Sequence, residues 1–105
     1  MISTHILDTS LGSPAAGVAV SLEIKKGDVW EKVSDGVTNT DGRHAFDCSY
    51  QAADYRITFM IEDYFKGRES FFLNSPIVFR VKDTNRKYHV PLLLNPYGLS
   101  TYRGS

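Results

Sequence analysis

Apolar and polar residues alternate along most of this 105-residue chain, which is the pattern of β-strands with one buried face. The clearest runs are residues 18–25, where Val, Val, Leu and Ile alternate with Ala, Ser, Glu and Lys, and residues 55–61, where Tyr, Ile, Phe and Ile fill every second position. Amphipathic helical periodicity is absent except at 62–68, a stretch compatible with one or two turns of helix. The chain is therefore predicted to be all-β.

Shorter alternating runs predict the remaining strands, at residues 1–8, 29–34, 37–40, 43–48, 77–81, 86–94 and 99–103. Turn-forming residues separate them, with a loop at 9–17 and turns at 26–28, Asp35-Gly36, Asp41-Gly42 and Asn95-Pro96-Tyr97-Gly98. About eight short strands at this spacing are typical of a β-sandwich or a small barrel. Without a repeat or a linker, residues 1–105 are predicted to form one domain.

The charge balance and the single cysteine narrow the possible partners. Twelve basic residues offset twelve acidic ones, so no net field favours binding to nucleic acid. Cys48 alone builds neither a disulfide framework nor a cysteine zinc site within one chain, which suits a reducing compartment. No apolar run reaches the length of about 18 residues that a membrane span needs. With no targeting segment visible after Met1, we expect a cytoplasmic protein and leave a periplasmic or peroxisomal origin open.

Three histidines are candidates for acid–base chemistry, because imidazole titrates near neutral pH. Alternation places His5 on the strand face opposite Thr4 and Ile6, and places His89 opposite Tyr88 and Val90 in the same way. His44 shares a face with Phe46. From the pattern alone, a surface or hydrogen-bonded strand histidine is the more common case for each of them. No closely spaced histidine pair indicates a metal site.

Arginine and serine supply the other candidates. Arg43 follows a tight turn, and its guanidinium suits a carbonyl oxygen or an anion, as does that of Arg103. Both are also readable as solvated strand-end charges. Ser105 brings a hydroxyl and the α-carboxylate together, and the sequence does not indicate which of the two groups would take part in the chemistry. The chain has no Gly-x-Ser-x-Gly elbow, phosphate loop or paired carboxylates.

The segment from Asn95 to Ser105 is too rich in turn formers and aromatic residues for a frayed tail. Its turn is predicted to fold a last strand back beside the strand that carries His89. Leu93, Tyr97 and Leu99 are expected to be exposed near the chemical residues, which favours burial of this surface between copies of the chain.

Four segments, taken together and in this order, resemble the 5-hydroxyisourate hydrolases, the transthyretin-related proteins of urate breakdown. The segments are Thr4-His5-Ile6-Leu7-Asp8, Thr40-Asp41-Gly42-Arg43, residues 88–94 (Tyr-His-Val-Pro-Leu-Leu-Leu) and residues 95–105, which end in Tyr-Arg-Gly-Ser. The resemblance implies a transthyretin-like β-sandwich of two four-stranded sheets with one short helix. It also implies a homotetramer with active sites in clefts where dimers meet. The chain departs from the family pattern at Lys87, Asn95 and Leu99, where relatives commonly carry His, Ser and Tyr.

The resemblance implies that the substrate is 5-hydroxyisourate and that the product is 2-oxo-4-hydroxy-4-carboxy-5-ureidoimidazoline. Water would attack a ring acyl carbon and open a cyclic amide, without a metal or a cofactor. The implied catalytic residues are His5, Arg43, His89 and Ser105. His5 and Arg43, with Tyr102 and Arg103, would also bind the substrate. Which histidine acts as the base stays open.

Two other functions fit the predicted strands. One is a transthyretin-like carrier of a small aromatic ligand that is not turned over. The other is an immunoglobulin-like interaction module, since a fold alone does not fix a function. Transthyretin lacks the histidines, Arg43 and the Tyr-Arg-Gly-Ser segment of this chain, which favours the enzyme.

Overall fold

The computed structural model describes residues 1–105 and contains nine strands and one short helix. The strands are β1 (Ile2–Asp8), β2 (Ser13–Pro14), β3 (Ala19–Lys26), β4 (Val29–Val37), β5 (Arg43–Phe46), β6 (Ala53–Phe59), β7 (Ser75–Val81), β8 (Tyr88–Asn95) and β9 (Gly98–Thr101). The helix α1 (Ile61–Tyr64) lies between β6 and β7. No helix has the length and apolar character needed to cross a membrane.

The strands form two sheets packed face to face. In the first sheet the order is β2-β1-β8-β9, and β5 also pairs with β1; the second sheet has the order β4-β3-β6-β7. β5 pairs with residues 2–5 of β1 and the two-residue β2 pairs with residues 7–8, so they share one edge of β1. The first sheet is thus four strands wide where β2, β1, β8 and β9 pair, and β5 continues the edge of β2 along the first residues of β1. The predicted all-β sandwich is confirmed.

Pairing is antiparallel except between β1 and β8, which run parallel with Ser3 opposite His89 and His5 opposite Pro91. Parallel neighbours cannot be joined by a tight turn. Almost the whole chain separates β1 from β8, and their pairing brings the first and the last segments of the sequence into contact.

The core lies between the sheets and is built from the apolar positions that alternation predicted. In β3 and β6 the buried residues are Val20, Leu22, Ile24, Tyr55, Ile57 and Phe59. The first sheet contributes Ile2, Ile6, Phe46, Tyr88, Val90, Leu92 and Leu94. Because the inner positions of β1 and β8 are filled this way, their polar residues Ser3, His5 and His89 lie on the outer face of the sheet.

The predicted turn at Asp35-Gly36 is wrong, because both residues lie within β4 and pair with Ser21 and Val20 of β3. The separate strand predicted at 37–40 is wrong for the same reason, since β4 runs on to Val37 and ends there. Gly36 has a packing role instead. A Cβ at this position would fall 2.0 Å from the ring of His44, so only glycine lets the histidine pack there.

Other predicted boundaries shift by a few residues. The predicted loop at 9–17 contains the short strand β2, and the strand predicted at 43–48 ends at Phe46. The helix expected at 62–68 is confirmed as a single turn at Ile61–Tyr64. Leu99 was expected to be exposed, but it is half-buried against the core because it lies opposite the buried Leu94.

The predicted hairpin at the end of the chain is confirmed. β8 and β9 pair antiparallel from Asn95 opposite Gly98 to Leu92 opposite Thr101. Beyond β9 the same register continues, and the Gly104 amide donates a hydrogen bond of 2.8 Å to the carbonyl oxygen of His89. The final residues therefore lie beside the strand that carries His89.

Candidate active site

Three of the predicted catalytic residues lie on one face of the molecule, the outer face of the first sheet. His5 on β1 is directly opposite Arg43 on β5. On its other side β1 pairs with β8, where His89 is opposite Ser3, two positions from His5. Their strand neighbours Thr4 and Val90 are buried. The three side chains therefore form a cluster across three adjacent strands, although 38 and 84 sequence positions separate His5 from Arg43 and from His89.

His89 is half-buried and has one side-chain hydrogen bond within the chain, between its Nδ1 atom and Ser3 Oγ at 2.8 Å. Its pKa lies below the ordinary value of 6.5, first because burial disfavours the charged ring and then because Arg43 and His5 repel the added proton. A neutral imidazole with a free nitrogen is the form that accepts a proton from water. The setting of His89 therefore suits a general base near neutral pH.

A cavity of about 280 Å³ opens on this face, lined among others by Ser3, Arg43, Lys87, His89 and Ser105. No carboxylate side chain lines it. With a guanidinium and an ammonium at its wall, the cavity favours an oxygen-rich or anionic ligand. Ser105 also lines this cavity, and its catalytic role stays a prediction. His5 lies beside it, next to Arg43, rather than in its lining.

Tyr102 and Arg103 line a different cavity from Arg43 and Ser105. This second cavity of about 300 Å³ lies at the open edge between β7 and the β8–β9 hairpin, and His89 belongs to the lining of this cavity as well. The Arg103 guanidinium carbon lies 4.7 Å from the centre of the Tyr88 ring, on the inner side of the sheet. Tyr102 is 58% exposed. The structure does not bring Arg103 into the cavity of His89 and Arg43, and its role in substrate binding stays a prediction.

His44 is a packing residue. Its ring contacts Phe46 edge to face, with 4.8 Å between ring centres, and covers Gly36 of the second sheet. The His44 side chain therefore lies on the inner face of β5, whereas the Arg43 side chain lies on the outer face.

Two further residues lie against the His89 ring: Ser3, which sequence reasoning missed, and Gly104, which the family resemblance placed in the same cleft with the rest of the Tyr-Arg-Gly-Ser segment. Ser3 bonds the Nδ1 atom of the ring, and a Cβ on Gly104 would fall 2.6 Å from its Cδ2 atom. The sequence does show that Ser3 lies on the same face of β1 as His5. That position indicates a contact with His89 only when the pairing of β1 with β8 is known. Nowhere do three His, Cys, Asp or Glu side chains come together in a way that holds a metal ion.

Comparison with known proteins places the chain in a family. Residues 2–104 match the sequence profile of the HIUase/transthyretin family. The chain belongs to this family. A 5-hydroxyisourate hydrolase of Salmonella dublin is 46% identical over 110 aligned residues, which cover 100% of this chain and 81% of that protein.

Two solved structures of the HIUase/transthyretin family have the same fold. The 5-hydroxyisourate hydrolase of Klebsiella pneumoniae is 42% identical, with a TM-score of 0.87 over 99% of this chain and 98% of that one. Sea bream transthyretin in complex with thyroxine is 28% identical, with a TM-score of 0.90 over 98% and 93% of the two chains. The predicted family membership and the transthyretin-like sandwich are confirmed.

Proposed function

We propose that this chain is a 5-hydroxyisourate hydrolase. The observation that carries the proposal is the cluster of His5, Arg43 and His89 on one sheet face, at the positions that the family resemblance assigns to catalysis. Support comes from relatives of that name at 46% and 42% identity, aligned over 99% or more of this chain. The identities to the hydrolases exceed the 28% identity to the sea bream transthyretin.

The proposed reaction begins with a water molecule held by His89. The imidazole takes a proton from the water while the oxygen attacks a ring acyl carbon of the substrate. Arg43 hydrogen-bonds the carbonyl oxygen, on which negative charge develops, and stabilises it because the guanidinium keeps its charge. The ring carbon–nitrogen bond then breaks, and the proton returns from His89 to the leaving nitrogen. His5, beside Arg43, helps to bind the substrate and to relay this proton.

The product would be 2-oxo-4-hydroxy-4-carboxy-5-ureidoimidazoline. Every atom of water enters it, since the hydroxyl joins the acyl carbon and the proton joins the nitrogen. No step draws on a metal or a cofactor. Ser105, which lines the same cavity, orients the water or the substrate through its oxygen atoms.

We also propose that the active protein is a homotetramer, with Tyr102 and Arg103 acting at a cleft shared between chains. Within one chain Tyr102 and Arg103 line a different cavity from Arg43 and Ser105, although His89 belongs to the wall of both. This separation from Arg43 supports a shared cleft, because a second copy facing the outer sheet would bring further side chains over the Arg43 cavity. Leu93 and Tyr97, exposed at 36% and 61%, lie next to this face and on the β8–β9 turn. The cytoplasm is the compartment we expect, in keeping with the free Cys48 thiol.

A decay assay tests the hydrolase against its alternative, a non-catalytic carrier of a small aromatic ligand. Freshly generated 5-hydroxyisourate decays spontaneously, and its ultraviolet absorbance is followed with protein present far below the substrate concentration. A hydrolase accelerates the decay in proportion to protein concentration. A carrier at that ratio leaves the decay unchanged, and such a result would refute the proposed function.

A further inference from the structure

Two neighbours hold the His89 ring at opposite edges. Nδ1 and Cδ2 are the two ring atoms next to Cγ, and each faces a different chain segment. Ser3 Oγ lies 2.8 Å from Nδ1, from the neighbouring strand β1. Gly104 lies on the Cδ2 side, where a side-chain carbon would approach to 2.6 Å. The ring is thus confined between β1 and the segment after β9, with Nε2 at its tip.

The hydroxyl of Ser3 suits both charge states of His89. A histidine that accepts a proton at Nε2 becomes a cation in which both nitrogens donate hydrogen bonds. The group on Nδ1 must then accept, as a serine oxygen can. If Ser3 accepts from Nδ1–H before the reaction as well, the Nε2 lone pair is free for water, because the bond at one nitrogen fixes the state of the other.

We infer that Ser3 is a positioning residue that accepts a hydrogen bond from Nδ1–H of His89 and so keeps Nε2 unprotonated as the general base. The inference rests on the proposed hydrolase function and assigns a role outside the His5, Arg43, His89 and Ser105 set. Parallel pairing supports it, since Ser3 and His89 are directly opposite in the β1–β8 register.

The charged groups around His89 do not replace Ser3 in this role. Arg43 on β5 and Lys87 on β8 carry donors only, and neither accepts a bond from Nδ1–H. His5 on β1 affects His89 through charge but makes no hydrogen bond with it. Ser3 is therefore the one side chain that bonds this nitrogen in the chain.

A matched pair of variants tests the inference, Ser3→Val and Ser3→Thr. They have nearly the same shape and both suit a strand, but only threonine keeps the hydroxyl. We expect Ser3→Val to lower kcat by about 10- to 100-fold, the loss of one hydrogen bond to a group that becomes charged, with little change in KM. Ser3→Thr should stay within about three-fold of the wild type. Equal kcat in the two variants would overturn the inference.

A second readout does not depend on turnover. In the protein labelled with ¹⁵N-histidine, two-bond ¹H–¹⁵N spectra report which nitrogen of His89 carries the proton. We expect Nδ1–H in the wild type and in Ser3→Thr, and a gain of the Nε2–H form in Ser3→Val. A wild-type ring protonated at Nε2 would overturn the inference even if the protein is a hydrolase. An inactive wild type with Nδ1–H would instead reject the hydrolase and keep the hydrogen-bond assignment.

Discussion

At the scale of single residues, His89 differs from an ordinary surface histidine in its burial and in its charged neighbours. Burial of the ring lowers its pKa, and repulsion by Arg43 and His5 lowers it further. These two residues belong to different segments of the chain. Alternation in the sequence predicts the face on which His89 lies. It does not predict Ser3 as a partner, because the two residues are 86 positions apart and meet only through the pairing of β1 with β8.

The lowered pKa predicts the pH dependence of the reaction. A base works only when unprotonated, so the acid limb of kcat/KM should lie below pH 6.5, the ordinary value for histidine. Replacing Arg43 with Met removes a repulsive charge, which raises the pKa of His89 and moves the acid limb to higher pH. The pH–rate profile of each variant measures this shift, whatever the loss in absolute rate.

Lys87→Met is the control for this prediction. It also removes one positive charge from the lining of the same cavity, but Lys87 is not among the groups that lower the pKa of His89. Its acid limb should stay at the wild-type position. If the acid limbs of the Arg43→Met and Lys87→Met pH–rate profiles coincide, Arg43 does not lower the pKa of His89.

At the scale of strands and helices, the site depends on how β1 is held at its two ends. Residues 2–5 lie between β5 and β8, which places Ser3 and His5. At the far end, the fully buried Asp8 accepts a hydrogen bond of 2.6 Å from the Tyr64 hydroxyl of α1 and one of 2.9 Å from the Ser10 amide. The single helical turn thereby anchors the strand that carries His5.

Asp8 predicts an acid-sensitive part of the stability. Burial by itself would raise its pKa, but hydrogen bonds from Ser10, Tyr64 and the Leu11 amide outweigh this and lower it from 3.8. The folded chain then binds the proton more weakly than the unfolded chain. The stabilisation is complete above the unfolded-state pKa and is lost as pH falls through the lower, folded value.

Asp8→Asn should therefore reduce the free energy of unfolding by about 1–3 kcal/mol at pH 7, and its deficit relative to the wild type should shrink as the pH approaches 2. Urea unfolding at several pH values measures both. Asp28→Asn, in the exposed turn after β3, is the control and should stay within about 0.5 kcal/mol of the wild type. A deficit for Asp8→Asn that does not change with pH would contradict the assigned role.

Strand positions were predictable from the sequence because the burial pattern is local. The runs at 18–25 and 55–61 correspond closely to β3 and β6. Asp35-Gly36 misled the prediction because such a pair usually marks a hairpin turn. The reason for glycine there is non-local, since the His44 ring from β5 fills the space of a side chain at position 36. The order in which the strands pair also depends on contacts between residues far apart in the sequence, so the local alternation pattern does not predict it.

At the scale of the whole molecule, the outer face of the first sheet combines chemistry with exposed apolar side chains. Leu93 on β8 follows the same alternation as His89 and is 36% exposed, and Tyr97 on the adjoining turn is 61% exposed. Exposed apolar side chains on a sheet face of this kind are typical of contact between copies of a chain. The family resemblance predicts a homotetramer.

Leu93→Glu tests the assembly. A buried charge at a contact between copies is costly, so this variant should shift the protein to smaller oligomers in light scattering and lower its activity. Val29→Glu is the matched control, because Val29 is 62% exposed on the edge strand β4 of the other sheet. It should leave both mass and activity unchanged. A fully active Leu93→Glu monomer would reject a site that is shared between chains.

The roles of the two histidines are tested most directly by the decay of freshly generated 5-hydroxyisourate with wild type, His89→Ala and His5→Ala at equal, substoichiometric concentration. We predict clear acceleration by the wild type and a loss of roughly 10²- to 10⁴-fold in His89→Ala, the usual contribution of a general base. We expect a smaller loss in His5→Ala. Near-normal turnover by His89→Ala would show that His89 is not the general base, and no acceleration by the wild type would show that the chain is not a 5-hydroxyisourate hydrolase.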